Sequence, residues 1–206
     1  MRQTTSQILF EYWNEVRGGR VAPRRFEIEP ARLTAVLSET FLVERLAPGR
    51  YAYRLAGTRI CDQFGEEMRG LPLLDGFAES DRQTVIRQLE GPVTGGAALV
   101  LQLGLGDTPD RLVRFEALVL PLVHTGSAVS RFLGAMSAID PPAWLGTRPL
   151  PHRTLAGFEL VWPETSPAHE ATEKADELPP LRVLPNARVV RAGRRMFRIL
   201  DGGQQR

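Results

Sequence analysis

Residues 51–77, YAYRLAGTRICDQFGEEMRGLPLLDGF, decide the fold that this sequence predicts. An alternating strand runs to Gly57, and Phe64 and Met68 then follow at helical spacing. Further glycines at positions 65, 70 and 76 interrupt the helical pattern, so one regular element does not fit the stretch. We therefore expect a strand that leads into a pocket wall made of short helices.

Composition sets the size and class of the protein. The chain has 206 residues, of which 43% are hydrophobic, enough for one compact domain with an extension. Its single cysteine excludes an internal disulfide and a cysteine-rich zinc site. Apolar runs fall short of the roughly 18 residues that cross a bilayer, and the first residues lack the apolar core of a signal peptide. We expect a cytoplasmic protein.

An amphipathic helix is predicted near the N-terminus, with Thr5 or Ser6 as its N-cap and Gly18-Gly19 as its end. One face of this helix is apolar and carries Ile8, Leu9, Tyr12, Trp13 and Val16. That face needs a surface to cover. The sequence leaves two alternatives open, the back of a sheet in the same chain or the interface of a homodimer.

A second helical segment is predicted from Pro30, with Leu33, Val36 and Leu37 pointing inward. It precedes a hairpin, Phe41 to Leu46 and Tyr51 to Ala56, around a Pro-Gly turn. After the glycine-broken stretch, a helix capped by Ser80 is expected to end at the Gly-Pro pair of residues 91 and 92.

Three apolar runs with short turns between them predict an antiparallel meander, at Ala97 to Leu105, Leu112 to Val123 and Arg131 to Ile139. In the middle run one face is apolar throughout. The other face starts polar, with Arg114 and Glu116, and becomes apolar only in its later half. Because proline lacks the N–H that a central strand needs, Pro121 indicates a bulge or an edge.

The segment GTRICDQFGEEMRG resembles the strand-to-helix segment of PAS domains, and the order of elements over residues 26–139 resembles theirs too. The N-terminal pattern FxYWxxxRGxR, here from Phe10 to Arg20, is similar to that of bacterial single-domain PAS proteins, some of them linked to motility and cell-cycle signalling. The resemblance implies an α+β fold with an antiparallel sheet of about five strands. Short helices would cover one face and the cap helix, residues 1–25, the other. The PAS domain would span residues 26–147, followed by a linker and tail at 148–206.

Seven side chains are predicted to line the space between the sheet and the short helices: Cys61, Phe64, Met68, Leu74, Phe77, Phe115 and Met136. This space is either a filled core or a cavity for a small apolar ligand. The residues around the cysteine lack the NCRFLQ motif of flavin photoreceptors, and residues 80–90 lack the histidine by which haem-binding PAS domains bind iron. We therefore expect no cofactor, no metal and no catalytic site.

Positive charge is concentrated at the C-terminal end, where a basic tail carries Arg191, Arg194, Arg195 and Arg198. Their RxxxR spacing resembles the phosphate-binding element of cyclic-dinucleotide-binding PilZ domains, but the DxSxxG companion motif is absent. The segment is interpreted as a solvated basic tail after a disordered linker at residues 164–180. A nucleotide or nucleic-acid site there is the alternative. The formal net charge of +2 does not favour nucleic acid as a partner of the whole chain.

These observations predict a non-catalytic signalling module that binds regulatory proteins and forms a homodimer. A small-molecule sensor is the second hypothesis. A binder of cyclic dinucleotides or nucleic acid through the arginine tail is the third.

Overall fold

The computed structural model describes residues 1–163, 188–192 and 195–199. Three α-helices lie in these ranges: α1 (Thr4–Arg17), α2 (Thr58–Phe64) and α3 (Glu79–Gln88). The strands are β1 (Thr40–Ala47), β2 (Arg50–Ala56), β3 (Ala98–Thr108), β4 (Arg111–Val123), β5 (Val129–Ile139), β6 (His152–Val161), β7 (Arg188–Ala192) and β8 (Arg195–Ile199). By its contacts the chain divides into two compact units, residues 1–169 and 170–206, and β7 and β8 pair as an antiparallel hairpin within the second.

The first unit contains an antiparallel sheet of six strands in the order β2-β1-β5-β4-β3-β6. The predicted hairpin (β1 and β2) and the predicted meander (β3 to β5) are confirmed. Apolar side chains of α2 and α3 pack on one face of the sheet, together with the inward row of β4 from Val113 to Val119. Helix α1 packs on the other face against Leu118, Leu120 and Leu122. The predicted α+β arrangement is therefore confirmed.

A sixth strand extends the expected sheet of about five. Strand β6 pairs with β3 from Ala98↔Val161 to Gly106↔His152, so it forms the edge of the sheet opposite β2. The sequence analysis assigned these residues to a linker, because the alternation of β6 is weak and a register shift interrupts the strand near Gly157. The predicted domain boundary at residue 147 stays a prediction, but β6 follows it and is hydrogen-bonded into the sheet.

The predicted N-caps of α1 and α3 are wrong, whereas α1 ends at Gly18 as expected. The N-cap of α1 is Gln3, and Ser6 lies inside the helix as a buried residue. The N-cap of α3 is Ala78, and acidic residues occupy the first turn of that helix, where they interact favourably with the helix dipole. After α3 the chain does not stop at the Gly-Pro pair but continues as a wide π-type turn over Leu89–Val93.

The segment from Pro30 forms two short 3₁₀ turns, Pro30–Leu33 and Leu37–Glu39, instead of one helix. The predicted inward position of Leu37 is also wrong, because its side chain is 44% exposed while Val36 is buried. Breaking the helical path between the two turns rotates Leu37 away from the core.

Pro121 confirms the expected edge. The ladder between β4 and β3 ends at the pair Leu99↔Val119, so Pro121 lies two residues beyond it while it still pairs with Phe132 of β5. No β3 partner therefore needs its missing N–H. Its free carbonyl accepts a hydrogen bond of 2.9 Å from Nε1 of Trp13.

A buried carboxylate takes the place of a side-chain cap at the start of α1. Glu116 of β4 is fully buried, and its two carboxylate oxygens accept the backbone N–H groups of Arg2 and Gln3 at 2.8 and 3.0 Å. Burial alone would raise the pKa of Glu116. The hydrogen bonds from Gln3 and Arg2, with smaller contributions from the side chains of Ser6 and Gln102, outweigh burial and lower the pKa below its usual range.

We expect Glu116→Gln to lower the free energy of unfolding by about 1–3 kcal/mol at pH 7, because a neutral amide accepts these hydrogen bonds more weakly than a carboxylate. The lowered pKa adds a pH dependence. The stabilisation is present above the ordinary glutamate pKa of about 4.3 and is lost as the pH falls through the lower pKa of the folded state. Urea unfolding between pH 7 and pH 3 measures both effects.

Glu11→Gln, an exposed position on α1, is the matched control and should leave stability nearly unchanged. Equal stability and equal pH dependence of Glu116→Gln and the wild-type protein would contradict the capping role.

Candidate functional site

The seven predicted pocket residues meet in the core between the sheet and the helical layer. Phe64, Leu74, Phe77 and Met136 line a small cavity there, whereas Cys61, Met68 and Phe115 pack around the cavity without lining it. The ring centroids of Phe64 and Phe115 lie 6.4 Å apart, within the range of aromatic packing. All seven side chains therefore belong to one apolar core or pack against it.

The cavity has a volume of only about 30 Å³. Such a space holds about one water molecule, whereas small-molecule sites occupy roughly 300 to 1,000 Å³. Side chains of β2, β3, β4 and the helical layer fill the rest of the interior. In this conformation the core is a packed interior.

Two polar side chains reach this apolar cavity, and the sequence indicated neither. Arg153 of β6 is 9% exposed; its Nη1 donates to the carbonyl of Leu73 at 3.2 Å, and its guanidinium carbon lies 5.3 Å from the centre of the Phe64 ring. Tyr53 of β2 is the second. Burial raises the pKa of Tyr53 to about 12, against a smaller opposing effect of Arg153. The phenol therefore stays protonated at neutral pH.

Arg153 escaped prediction because its strand lies beyond the range assigned to the domain. Its backbone N–H donates to the carbonyl of Gly76 at 3.0 Å, and it forms a parallel bridge with Phe77. These contacts close the edge of the core where the helical layer meets β6. A basic residue next to a histidine in a proline-rich stretch gave no signal of such burial.

The single cysteine lies half-buried on α2. Its Sγ is 3.9 Å from the carbonyl oxygen of Ala56 and 3.8 Å from Oε1 of Glu67, distances at which the thiol makes weak hydrogen bonds. These contacts and its place beside the core describe a packed thiol.

Most of the predicted interface face of α1 is buried within its own chain. Leu9, Tyr12 and Trp13 are between 0 and 6% exposed and pack on the sheet, and the hydroxyl of Tyr12 accepts the backbone N–H of Glu29 at 2.7 Å. Ile8 is 37% exposed and Val16 is half-buried. Trp13 is therefore buried against the sheet of its own chain, the first of the two alternatives, whereas Ile8 stays partly exposed.

The basic tail is described only in its backbone. Arg191 lies in β7, and Arg195 and Arg198 lie in β8. Arg194 lies outside the described residues. Strands β7 and β8 pair as an antiparallel hairpin instead of forming the structureless tail expected from the sequence.

The part of the chain that the structure describes contains neither a cluster of metal ligands nor a helix suited to crossing a membrane. No group of three or more histidine, cysteine, aspartate or glutamate side chains there is arranged to hold a metal ion. No helix among the described residues is long and apolar enough to cross a membrane.

The family follows from comparison with known proteins. The family model for the PAS domain, PAS_5, matches residues 1–137, which include α1, both core layers and nearly all of β5. The chain belongs to this PAS family, and its six-stranded sheet with short helices has the PAS fold. A comparison with curated proteins found no match. Strand β6, which carries Arg153, lies beyond the matched range.

We expect Trp13→Ala to lower the free energy of unfolding by about 3–5 kcal/mol, because the mutation removes a fully buried indole and leaves a cavity between α1 and the sheet. The loss should be the same at low and high protein concentration, since the partner surface is in the same chain. Denaturant unfolding over a hundredfold range of concentration tests this.

Trp13→Phe is the matched variant that keeps an aromatic ring but loses the hydrogen bond to the carbonyl of Pro121. It should cost less than the alanine variant. A loss of stability that disappears at high protein concentration would instead place Trp13 in an interface between two chains.

Proposed function

We propose that this protein is a non-catalytic PAS module that acts in bacterial signalling by binding partner proteins. The observation that carries the proposal is the filled interior: a cavity of about 30 Å³ leaves the surface as the part of the domain available for recognition. A cytoplasmic location and self-association as a homodimer belong to the same proposal. The N-terminal FxYWxxxRGxR pattern supports regulation of motility or of the cell cycle as the process served.

Exposed apolar side chains support recognition through the surface. Ile8 on α1 is 37% exposed, and Phe158 and Trp162 at the β6 edge are 44% and 46% exposed. Large apolar side chains in such positions are typical of contact sites for other proteins.

The proposal is tested by capture from the cytosol of the native host, with the full chain as bait and with reciprocal capture by each recovered protein. A partner that is recovered in both directions supports the proposal. Failure to recover any specific partner, together with turnover of a metabolite by the purified chain, would contradict it.

A small-molecule sensor is the second candidate, and Arg153 favours it. A buried guanidinium beside an apolar cavity is costly without an anion, and among the described residues no carboxylate pairs with it. A ligand with a negative group would satisfy Arg153, but the core would have to expand to admit it. Native mass spectrometry of protein purified from its own host detects such a ligand, and an empty core would remove this candidate.

Two truncations separate the tail from the sheet. A chain ending after Trp162 should keep its melting temperature nearly unchanged but bind its partners more weakly, because it loses the arginine contacts of the tail. A chain ending after residue 147 should unfold or melt far lower, because it loses β6 and the core contacts of Arg153. Thermal unfolding followed by circular dichroism measures both. Unfolding of the chain that ends after Trp162 would show that the tail is needed for the folded core.

A further inference from the structure

A groove opens on the α1 face of the sheet, on the opposite side from the core cavity. It lies between the outer face of β1 and β2 and the segment that connects α1 to the sheet. Its volume is about 560 Å³, within the roughly 300 to 1,000 Å³ typical of small-molecule sites. The sequence does not indicate this groove, because the predicted inward position of Leu37 would close part of the space.

The lining of the groove is mainly apolar. Leu42 of β1 pairs with Leu55 of β2 on one side and with Leu133 of β5 on the other, which forms a continuous leucine row across three strands. Helix α1 packs on β4 and β5, and the groove lies beside it over β1 and β2. Leu37 and Leu55 are 44% and 52% exposed at this site. The groove therefore offers a continuous surface to the apolar part of a ligand.

One charged residue lies in this lining, the half-buried Arg25. Within the described residues, the Arg25 side chain has no hydrogen-bond or ion-pair partner. Other arginines of this region are paired: Arg20 with Glu27, Arg32 with Glu15, Arg54 with Glu44 and Arg59 with Glu39. A partly buried cation among leucines is a site for one anionic group.

We propose that this groove binds an acyl carboxylate, a molecule with a linear apolar body and one carboxylate. The leucine row contacts the apolar body and Arg25 binds the carboxylate. A second copy of the chain fits less well, because a two-fold contact through this groove would bring two unpaired arginines together. The proposal is independent of the protein-interaction function, since it concerns the face of the sheet opposite the filled core.

Dodecanoate is the probe and dodecan-1-ol is its uncharged match, both kept below their aggregation limits and titrated into the full chain by equilibrium dialysis. We expect saturable one-to-one binding of dodecanoate. Arg25→Gln should weaken dodecanoate binding at least ~10-fold, the usual size of a charge-assisted hydrogen bond, and should leave the weaker binding of the alcohol unchanged. Arg50→Gln, an exposed arginine outside the groove, is the control and should change neither.

Leu55→Glu places a negative charge in the groove at an exposed position, so it should abolish dodecanoate binding while the melting temperature stays near that of the wild-type protein. Binding that survives Leu55→Glu would place the probe elsewhere, for example in the core beside Arg153, and would overturn the proposal. So would equal effects of Arg25→Gln on acid and alcohol, or no saturable binding at all. Loss of self-association in Leu55→Glu without any dodecanoate binding would assign the groove to a second copy.

Discussion

The carboxylate of Glu116 determines where the first helix begins and against which face of the sheet it lies. The first N–H groups of a helix have no partner inside the helix, and an apolar sheet offers none. Glu116, in the middle of β4, accepts the N–H groups of Arg2 and Gln3, which lead into the helix, and in the last third of the helix the indole of Trp13 donates to the carbonyl of Pro121. Because these two contacts fix the helix, its apolar stripe covers Leu118, Leu120 and Leu122 of β4, which would otherwise be exposed to water.

Because α1 of the same chain covers one face of the sheet, that part of the face is not free to bind a partner. The opposite face is closed by α2, α3 and their connecting turns, and its interior leaves about 30 Å³ empty. With both faces of the central strands covered, the recognition surfaces that remain within residues 1–163 are the sheet edges, the exposed side of α1 and the groove over β1 and β2. This distribution is why the proposed functions rest on the surface, and why Arg153 is the one feature that points to the core.

Local patterns in the sequence were sufficient for the hairpin, the meander, the α+β class and the family. Turns, strand alternation and the helical spacing of the pocket residues are all patterns among residues close together in the sequence. The features that were missed depend on residues far apart in the chain. Glu116 lies at a polar position of an alternating strand, which is usually solvated, and only the arrival of the N-terminus 113 residues away buries it. Arg153 likewise acquires its role only when β6 reaches β3.

Helix α1 is a layer of the folded domain and is held by its own chain. Hydrogen exchange of the α1 amides in the full-length protein tests it most directly, because exchange reports local opening. We expect amides in the middle of α1 to exchange nearly as slowly as those of β4 and β5, at low and high protein concentration alike. Fast exchange of α1, or protection that appears only at high concentration, would contradict it.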